Sequence, residues 1–231
     1  MKLKTPVVDY RKFRFNRLNE PEFSHIKLLL YWPVFGLLFQ LLERAYDAPF
    51  YYPMHCALDD IVPFCEWFII PYMFWFIYMV GIHIYTFFYH IDAFKRLMWF
   101  IIITYTAALV AYIVFPNCQE LRPVAFERDN PLIRFVRGFY QFDTNTNVCP
   151  SMHVMGAVSV HCTAMYIERF RTKGWKLFYS ISTILICVST VFLKQHSVLD
   201  VFAAIPFCLI AYYLCFHTKA KHNAKDKECF S

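Results

Sequence analysis

The chain has 231 residues, of which 58% are hydrophobic, 20% aromatic and 17% charged, and its formal net charge is +6. A soluble domain averages roughly 45–50% apolar and 25% charged residues, so this composition predicts a membrane protein and argues against a soluble one. The five glycines are too few for a glycine-rich phosphate loop.

Residues 1–24 form the predicted N-terminal segment, in which basic residues alternate with apolar ones. Arg11, Lys12 and Arg14, for example, lie between Tyr10 and Phe15. No apolar run begins close to the start, so a signal peptide is not expected. Two interpretations are open: a segment lying among lipid headgroups, or a solvated basic tail.

Six apolar stretches follow, each near the roughly 20 residues that a transmembrane helix needs. The sequence therefore predicts an all-α integral membrane protein, a six-transmembrane helix bundle at residues 25–217 with a partly helical extracytoplasmic third loop. A basic tail at residues 218–231 completes the predicted organisation. The predicted spans cover residues 25–45, 66–89, 97–115, 152–168, 175–193 and 198–217.

The distribution of lysine and arginine predicts the orientation. If the N-terminus is cytoplasmic, 17 of the 23 basic residues fall on the cytoplasmic side and six on the outer side. This bias follows the positive-inside rule and predicts a multi-pass protein of the cell membrane with both termini in the cytoplasm. The same topology places the loop around Arg122, the entry of the fourth span and the turn after the fifth on the outer face.

Each of those three places carries residues suited to phosphate chemistry. His196 and Asp200 are four residues apart, so at a helix start they share one face and the carboxylate can orient the imidazole. Ser151 and His153 stand where the fourth span begins, and the free N–H groups of a helix start favour an anion. Arg122 is suited to bidentate contact with a phosphate.

Two histidines at one phosphate indicate a division of labour. One attacks phosphorus and becomes a phosphohistidine, and the other protonates the leaving oxygen. Arginine, lysine and the helix start can neutralise the charge, so neither a metal nor a cofactor is expected. The nine cysteines show no spacing typical of metal ligands.

Three sequence elements resemble the signature motifs of the type 2 phosphatidic acid phosphatase superfamily. They are Arg122-Pro123, Pro150-Ser151-x-His153 and Ser189-x6-His196-x3-Asp200. The resemblance covers roughly residues 25–217, and the last two motifs are specific in combination. It implies a metal-independent phosphatase or phosphotransferase that acts through a covalent phosphohistidine.

The resemblance also implies a role for each matching residue. His196 resembles the family's nucleophile, Asp200 the residue that orients it, and His153 the general acid. Ser151 and Arg122 resemble its phosphate ligands.

Two cations of the family pattern are missing. Phe115 stands where the first motif carries lysine, and Thr190 stands where the third motif carries arginine. Lys194, two residues before His196, is a candidate replacement as a phosphate ligand. The string from Lys194 to Asp200 also resembles the branch that contains inositol phosphorylceramide and sphingomyelin synthases.

The expected function is hydrolysis of a lipid phosphate monoester or diphosphate at the extracytoplasmic face. The alternative is a phospholipid headgroup phosphotransferase, in which an alcohol such as diacylglycerol or ceramide replaces water. A remote alternative is a non-enzymatic membrane transporter or scaffold, which the incomplete first motif leaves open. The expected partner is a membrane lipid phosphate and not a nucleic acid, while the lipid and the oligomeric state stay open.

Other polar residues on the outer side have simpler interpretations. Asp59, Asp60 and Glu66 are read as acids of loops and helix starts. Glu43, Asp143 and Tyr140 are further candidates of unassigned role. A disulfide between Cys118 and Cys149 would anchor the third loop if the outer compartment is oxidising.

Overall fold

The computed structural model describes residues 5–46 and 48–217, and it is about 72% helical with almost no sheet. This confirms the predicted all-α membrane fold, and the helix at Pro131–Phe142 confirms a partly helical third loop. The predicted tail at 218–231 lies outside the described residues. The helices are α1 Tyr31–Ala45, α2 Ala57–Ile61, α3 Ile69–Tyr89, α4 Ile91–Val114, α5 Pro131–Phe142, α6 Met152–Tyr166, α7 Lys173–Phe192 and α8 Val198–Tyr212; the strands are β1 Tyr52–Pro53 and β2 Asn117–Cys118.

Five helical stretches of the described chain are long and apolar enough to cross a membrane. They are Ser24–Ala45, Glu66–Tyr89, Ile91–Val114, Lys173–Phe192 and Val198–His217. The remaining predicted span corresponds to α6, whose 15 residues extend about 22 Å at 1.5 Å per residue, short of the ~30 Å hydrocarbon core. The count of six membrane spans therefore stays a prediction.

The short α6 still runs from one end of the bundle to the other. The backbone N–H of Ser151, just before α6, donates to the carbonyl of Asp200 at 3.1 Å, at the start of α8. At the other end of α6, the Tyr166 hydroxyl donates to Asp92 at 2.6 Å, in the first turn of α4. These two contacts define a site end and an opposite end of the bundle.

The beginning of α4 differs from the prediction, which started the third span at residue 97. Only His90 separates α3 from α4. A hydropathy window stops at Lys95 and Arg96, whereas the helical hydrogen bonds continue through them. Arg96 is only 2% exposed because its guanidinium bonds Asp92 at 2.8 Å and the Cys215 carbonyl at 2.5 Å.

The N-terminal segment packs at the opposite end, beside the turn between α3 and α4. The Tyr10 hydroxyl donates to the Phe87 carbonyl at 2.7 Å and lies 2.8 Å from Nε2 of His25. The Tyr10 ring also stacks on Phe87 with centroids 5.0 Å apart. These contacts fix the described part of the segment against the bundle, while its boundary at residue 24 stays a prediction.

The core is centred on α6, which packs against α3, α4, α7 and α8. Small residues on α6 let its neighbours approach closely. At Gly156 a side chain would not fit, because a Cβ atom there would lie 2.7 Å from the Tyr105 hydroxyl and 2.9 Å from Nε1 of Trp75. Five apolar residues of α6 are at most 3% exposed: Val154, Met155, Ala157, Val160 and Ala164.

Three connecting segments meet at the site end. The parallel pair of β1 and β2 joins the α1–α3 connection to the start of the third loop. Arg122, in the third loop, bonds Gln195 in the α7–α8 turn at 2.5 Å. In the same turn, Lys194 bonds the carbonyls of Asp59 and Val62, and these bonds join the α7–α8 turn to the α1–α3 connection.

Candidate functional site

The start of α8 orients His196 through Asp200. Nδ1 of His196 lies 3.1 Å from Oδ2 of Asp200, and both side chains are buried. The same carboxylate accepts the backbone N–H of Ser197 at 3.0 Å, which completes the capping box of α8. A proton held on Nδ1 toward the carboxylate leaves the Nε2 lone pair for chemistry.

The start of α6 carries Ser151 and His153. The fully buried Ser151 is the N-cap, and its hydroxyl accepts the N–H of Val154 at 3.5 Å. Two aromatic residues of α3 hold the His153 ring, Tyr72 at 4.4 Å and Trp75 at 4.6 Å between centroids. Nε2 of His153 is buried and has no hydrogen-bond partner among residues 5–46 and 48–217.

The two histidines face each other. Their ring centroids are 5.9 Å apart and their planes are inclined by 63°. A phosphate between them would need about 3–3.5 Å from phosphorus to an attacking nitrogen and about 2.6–3.2 Å from a proton donor to the leaving oxygen. Both rings line one cavity of about 230 Å³.

The cavity is mainly aromatic. Eight of its lining residues are aromatic and come from α1, α3 and α4, among them Trp32, Tyr72 and Trp75. Polar groups lie at the site end, where Asp143 and Gln195 join the two histidines. A phosphate at the histidines would thus have an apolar region directly beneath it.

Arg122 lies behind this cavity, with four of its five N–H groups engaged by the protein. Nη1 donates to the carbonyls of Tyr140 and Asp143 at 3.1 and 3.0 Å, and Nη2 donates to the Thr144 carbonyl at 2.8 Å and to Oε1 of Gln195 at 2.5 Å. Its Nε is buried without a partner. Arg122 therefore has one donor left and fixes the amide beside His196.

Lys194 is adjacent to the site in sequence but does not line the cavity. Its ammonium group donates to the carbonyls of Asp59 at 2.7 Å and Val62 at 2.5 Å. Burial lowers the pKa of Lys194, and Asp59 partly opposes this shift. Its backbone is left-handed, with φ of 53°, so these bonds hold a turn that a lysine adopts at a cost. Phosphate binding by Lys194 stays a prediction that requires the ammonium to leave both carbonyls.

Asp59 is the helix-start acid that the sequence indicated, and it acts on two helices. It caps α2 by accepting the N–H of Cys56 at 2.8 Å, and it accepts the N–H of Val198 and the hydroxyl of Ser197 at 2.8 and 2.5 Å at the start of α8. Burial raises its pKa, but these hydrogen bonds outweigh burial and the net pKa is lowered. The carboxylate therefore stabilises the turn that presents His196.

Asp143 and Glu43 place acidic groups near the histidines. Burial raises the pKa of Asp143, which lines the cavity, while Arg122 and His196 oppose the shift. Glu43, near the end of α1, accepts hydrogen bonds from Thr144 and from Asn147, the latter at 2.6 Å. The third loop is thereby held against α1.

The motif positions that lack a cation have other contacts. Phe115 stacks on Tyr52 with centroids 4.6 Å apart. The Thr190 hydroxyl donates to the Cys187 carbonyl at 2.8 Å, and the Thr190 carbonyl accepts the N–H groups of Gln195 and His196 at 3.0 and 3.1 Å. Neither residue lines the cavity, and the described lining contains no lysine or arginine that would replace the missing cations there.

Cys118 and Cys149 are free thiols in the structure, so the hypothesised disulfide is not formed. Asn117 instead organises the third loop. Its side chain accepts the N–H groups of Val148 and Cys149, each at 2.8 Å, and donates to the Cys149 carbonyl at 2.9 Å. Burial raises the pKa of the Cys149 thiol to about 12, and nearby Asp200 adds to the shift.

Comparison with known families agrees with this geometry. A family model described as the PAP2 superfamily matches residues 96–224, which contain all six predicted site residues. The chain belongs to the PAP2 superfamily. Membership in PAP2 indicates a phosphatase or phosphotransferase acting on phosphate esters. Searches of curated proteins and of solved structures return no match.

The PAP2 match begins inside α4 and leaves out α1 and α3, which supply much of the cavity wall. Sequence reasoning missed Trp75, Gln195 and Asn117. Trp75 is one of many aromatic residues in an apolar stretch, and Gln195 carries no charge, although it adjoins His196. Asn117 carried no signal, because its role depends on contacts with a loop about 30 residues later.

Proposed function

We propose that this PAP2 protein is a metal-independent lipid phosphatase that works through a phosphohistidine on His196. The observation that carries the proposal is the pairing of His196 and His153 across one cavity, 5.9 Å apart, with Asp200 behind the first. An oriented nucleophile opposite a proton donor is the arrangement that nucleophilic phosphoryl transfer requires.

In the first step, Nε2 of His196 forms a bond to phosphorus while the bond from phosphorus to the lipid oxygen breaks. His153 gives its proton to that oxygen, and Asp200 stabilises the positive charge that forms on the His196 ring. In the second step, water attacks the phosphohistidine, His153 takes a proton from the water, and His196 is restored. For a lipid diphosphate, the leaving group is the lipid monophosphate.

The helix start at Ser151 supports the phosphate in this proposal, and the remaining N–H of Arg122 joins it if the guanidinium moves from behind the cavity lining. Lys194 joins them if its ammonium turns from the carbonyls to the cavity. We place the site on the extracytoplasmic side and both termini in the cytoplasm, because the bias in lysine and arginine predicts that orientation.

The test is turnover of lipid phosphates by the purified full chain in the presence of a chelator. We expect His196→Ala to abolish turnover and phosphoenzyme formation, and His153→Ala to slow turnover by about 10²–10⁴-fold. The matched control is His161→Ala, since His161 is on the same helix as His153 but does not line the cavity. Full turnover by both site variants, or turnover that needs a metal, would end the proposal.

The apolar lining favours a second candidate, transfer of the phospho-headgroup to a lipid alcohol. The eight aromatic lining residues favour the apolar part of a lipid acceptor over water. Labelled phospholipid, incubated with and without diacylglycerol or ceramide, distinguishes the two reactions. Free phosphate supports the phosphatase and a new labelled lipid supports the transferase, while inertness toward a broad panel would favour a transporter or scaffold.

A further inference from the structure

The cavity that holds the two histidines has little positive charge. Within the described chain, no lysine or arginine is among its lining residues, and Asp143 contributes an acid. The guanidinium of Arg122 lies behind the lining, where it bonds three carbonyls and Gln195. A doubly charged phosphate would therefore meet one carboxylate and no lysine or arginine in the cavity wall.

Gln195 offers a neutral donor in place of a cation. The residue is 3% exposed, it lines the cavity next to His196, and its Nε2 is buried without a partner. The bond from Arg122 to Oε1 fixes which end of the amide faces away from the guanidinium. An unpaired buried amide is costly, and a phosphoryl oxygen would satisfy it.

We infer that the site selects a phosphate group with a single negative charge, with Gln195 as the donor to a phosphoryl oxygen and Asp143 as the group that disfavours a second charge. The inference rests on the proposed function and narrows its substrate. Two sources carry this chemistry: a phosphodiester lipid, and a phosphate monoester that retains one proton. Arg122 is a positioning residue for Gln195 in this scheme.

The two sources respond differently to pH. A phosphate monoester loses its second proton with a pKa of about 6, whereas a phosphodiester keeps one charge throughout the neutral range. Several protein groups near Asp143 also titrate or carry charge, so a pH profile for one substrate alone would mix their effects. These groups are Glu43 of α1, Tyr72 of α3, His153 of α6, His196 of the α7–α8 turn, and Arg122 and Tyr140 of the third loop.

The experiment therefore measures kcat/KM for a lipid phosphate monoester and for a phosphodiester lipid with the same chains, from pH 5 to pH 9. Both substrates meet the same free enzyme, so protein titrations that affect them equally cancel in the ratio. If either lipid binds without turnover, the inhibition constants of both lipids are measured, and the ratio of their reciprocals replaces the ratio of kcat/KM values. We expect the monoester-to-diester ratio to fall above about pH 6 and to approach a tenfold decrease per pH unit, the limit set by loss of one proton.

Two variants assign the selection to the named residues. Asp143→Asn should make the monoester-to-diester ratio of kcat/KM depend less steeply on pH. Gln195→Glu keeps the acceptor for Arg122 but removes the neutral donor, and it should lower kcat/KM for both lipids by about 10–100-fold. Asp60→Asn is the matched control, because Asp60 is an exposed acid at the same end that bonds His55, and it should leave the ratio unchanged.

A ratio that is constant or rises with pH would overturn the inference, as would an unchanged fall in Asp143→Asn. Neither result touches the proposed function as long as His196-dependent turnover is present. Conversely, absence of turnover and of phosphoenzyme with both lipids would refute the proposed function itself, so the two failures are distinguishable.

Discussion

Replacing Asp200 by asparagine removes a charge from the site with little change in shape. Oδ2 of Asp200 accepts from both Nδ1 of His196 and the N–H of Ser197, so an amide oxygen placed there can keep both hydrogen bonds. What is lost is the negative charge facing the imidazolium that forms when His196 attacks phosphorus. Two unit charges about 4 Å apart interact by about 4 kcal/mol at an effective dielectric constant of 20.

That energy corresponds to about a 10³-fold loss in kcat, since each 1.36 kcal/mol is tenfold. An independent scale comes from the Ser-His-Asp triad, where replacing the aspartate by asparagine lowers kcat by about 10⁴-fold. The assay is the rate of phosphoenzyme formation by Asp200→Asn in a single turnover, which isolates the attack by His196. We expect a decrease of about 10²–10⁴-fold.

Asp59→Asn is the matched control, because Asp59 of α2 is an equally buried carboxylate that bonds Ser197 and Val198 at the start of α8 and, within the described chain, bonds no histidine. It should lower the melting temperature and change the phosphorylation rate by less than about tenfold. The reasoning fails if Asp200→Asn retains a rate within fivefold of the original, or if folded Asp59→Asn loses as much as Asp200→Asn.

Three further predictions concern packing, tethering and charge. Gly156→Ala should lower the free energy of unfolding by about 1–3 kcal/mol and reduce kcat, because the added methyl group displaces Trp75 from the ring of His153. Gly81 has open space around it, so Gly81→Ala should leave both the melting temperature and the turnover rate unchanged. Lys194→Met should lower the melting temperature by removing the tether to two carbonyls, with KM unchanged within about threefold; a KM raised beyond that would return Lys194 to the phosphate ligands. Burial raises the pKa of Asp143, so the stability that its protonated carboxyl contributes is fully present below the ordinary value of 3.8 and is lost as pH rises through the raised value. The melting temperature of Asp143→Asn, relative to that of the parent, should therefore increase as pH rises through that range. A constant difference between the two melting temperatures would contradict this.

The helices could be predicted because long apolar runs have few alternatives in a membrane. The start of α4 could not, because the charges of Lys95 and Arg96 end a hydropathy window, while the helix continues by pairing Arg96 with Asp92 and with the Cys215 carbonyl, just after α8. The predicted fourth span is longer than α6, because the helix ends at Tyr166, one residue before the apolar run does, and Glu168 begins a separate 3-10 helix.

The pairing of the two histidines was predictable in principle, because topology alone brings the ends of α6 and α8 to the same side. The contacts of the two basic side chains were not predictable. Arg122 and Lys194 were both expected to face phosphate, yet carbonyls of the connecting segments take most of their donors. Those carbonyls lie far away in sequence, and no local pattern shows where a backbone acceptor will be left unpaired.

The buried polar groups at the site end indicate that a ligand binds at the histidines. Ser151, Asp59 and Asn117 have hydrogen bonds that cap helices or hold loops, as buried groups normally do. By contrast, four residues of the described cavity lining keep a buried polar atom without a partner: Trp75, Asn147, His153 and Gln195. Each unpaired group costs about 1–3 kcal/mol. A folded protein that keeps several such atoms around one cavity, beside an oriented His196, is stabilised when a polar ligand enters. The N–H groups of Trp75 and Gln195 can donate to oxygen atoms of that ligand, and Oδ1 of Asn147 can accept from a hydroxyl group.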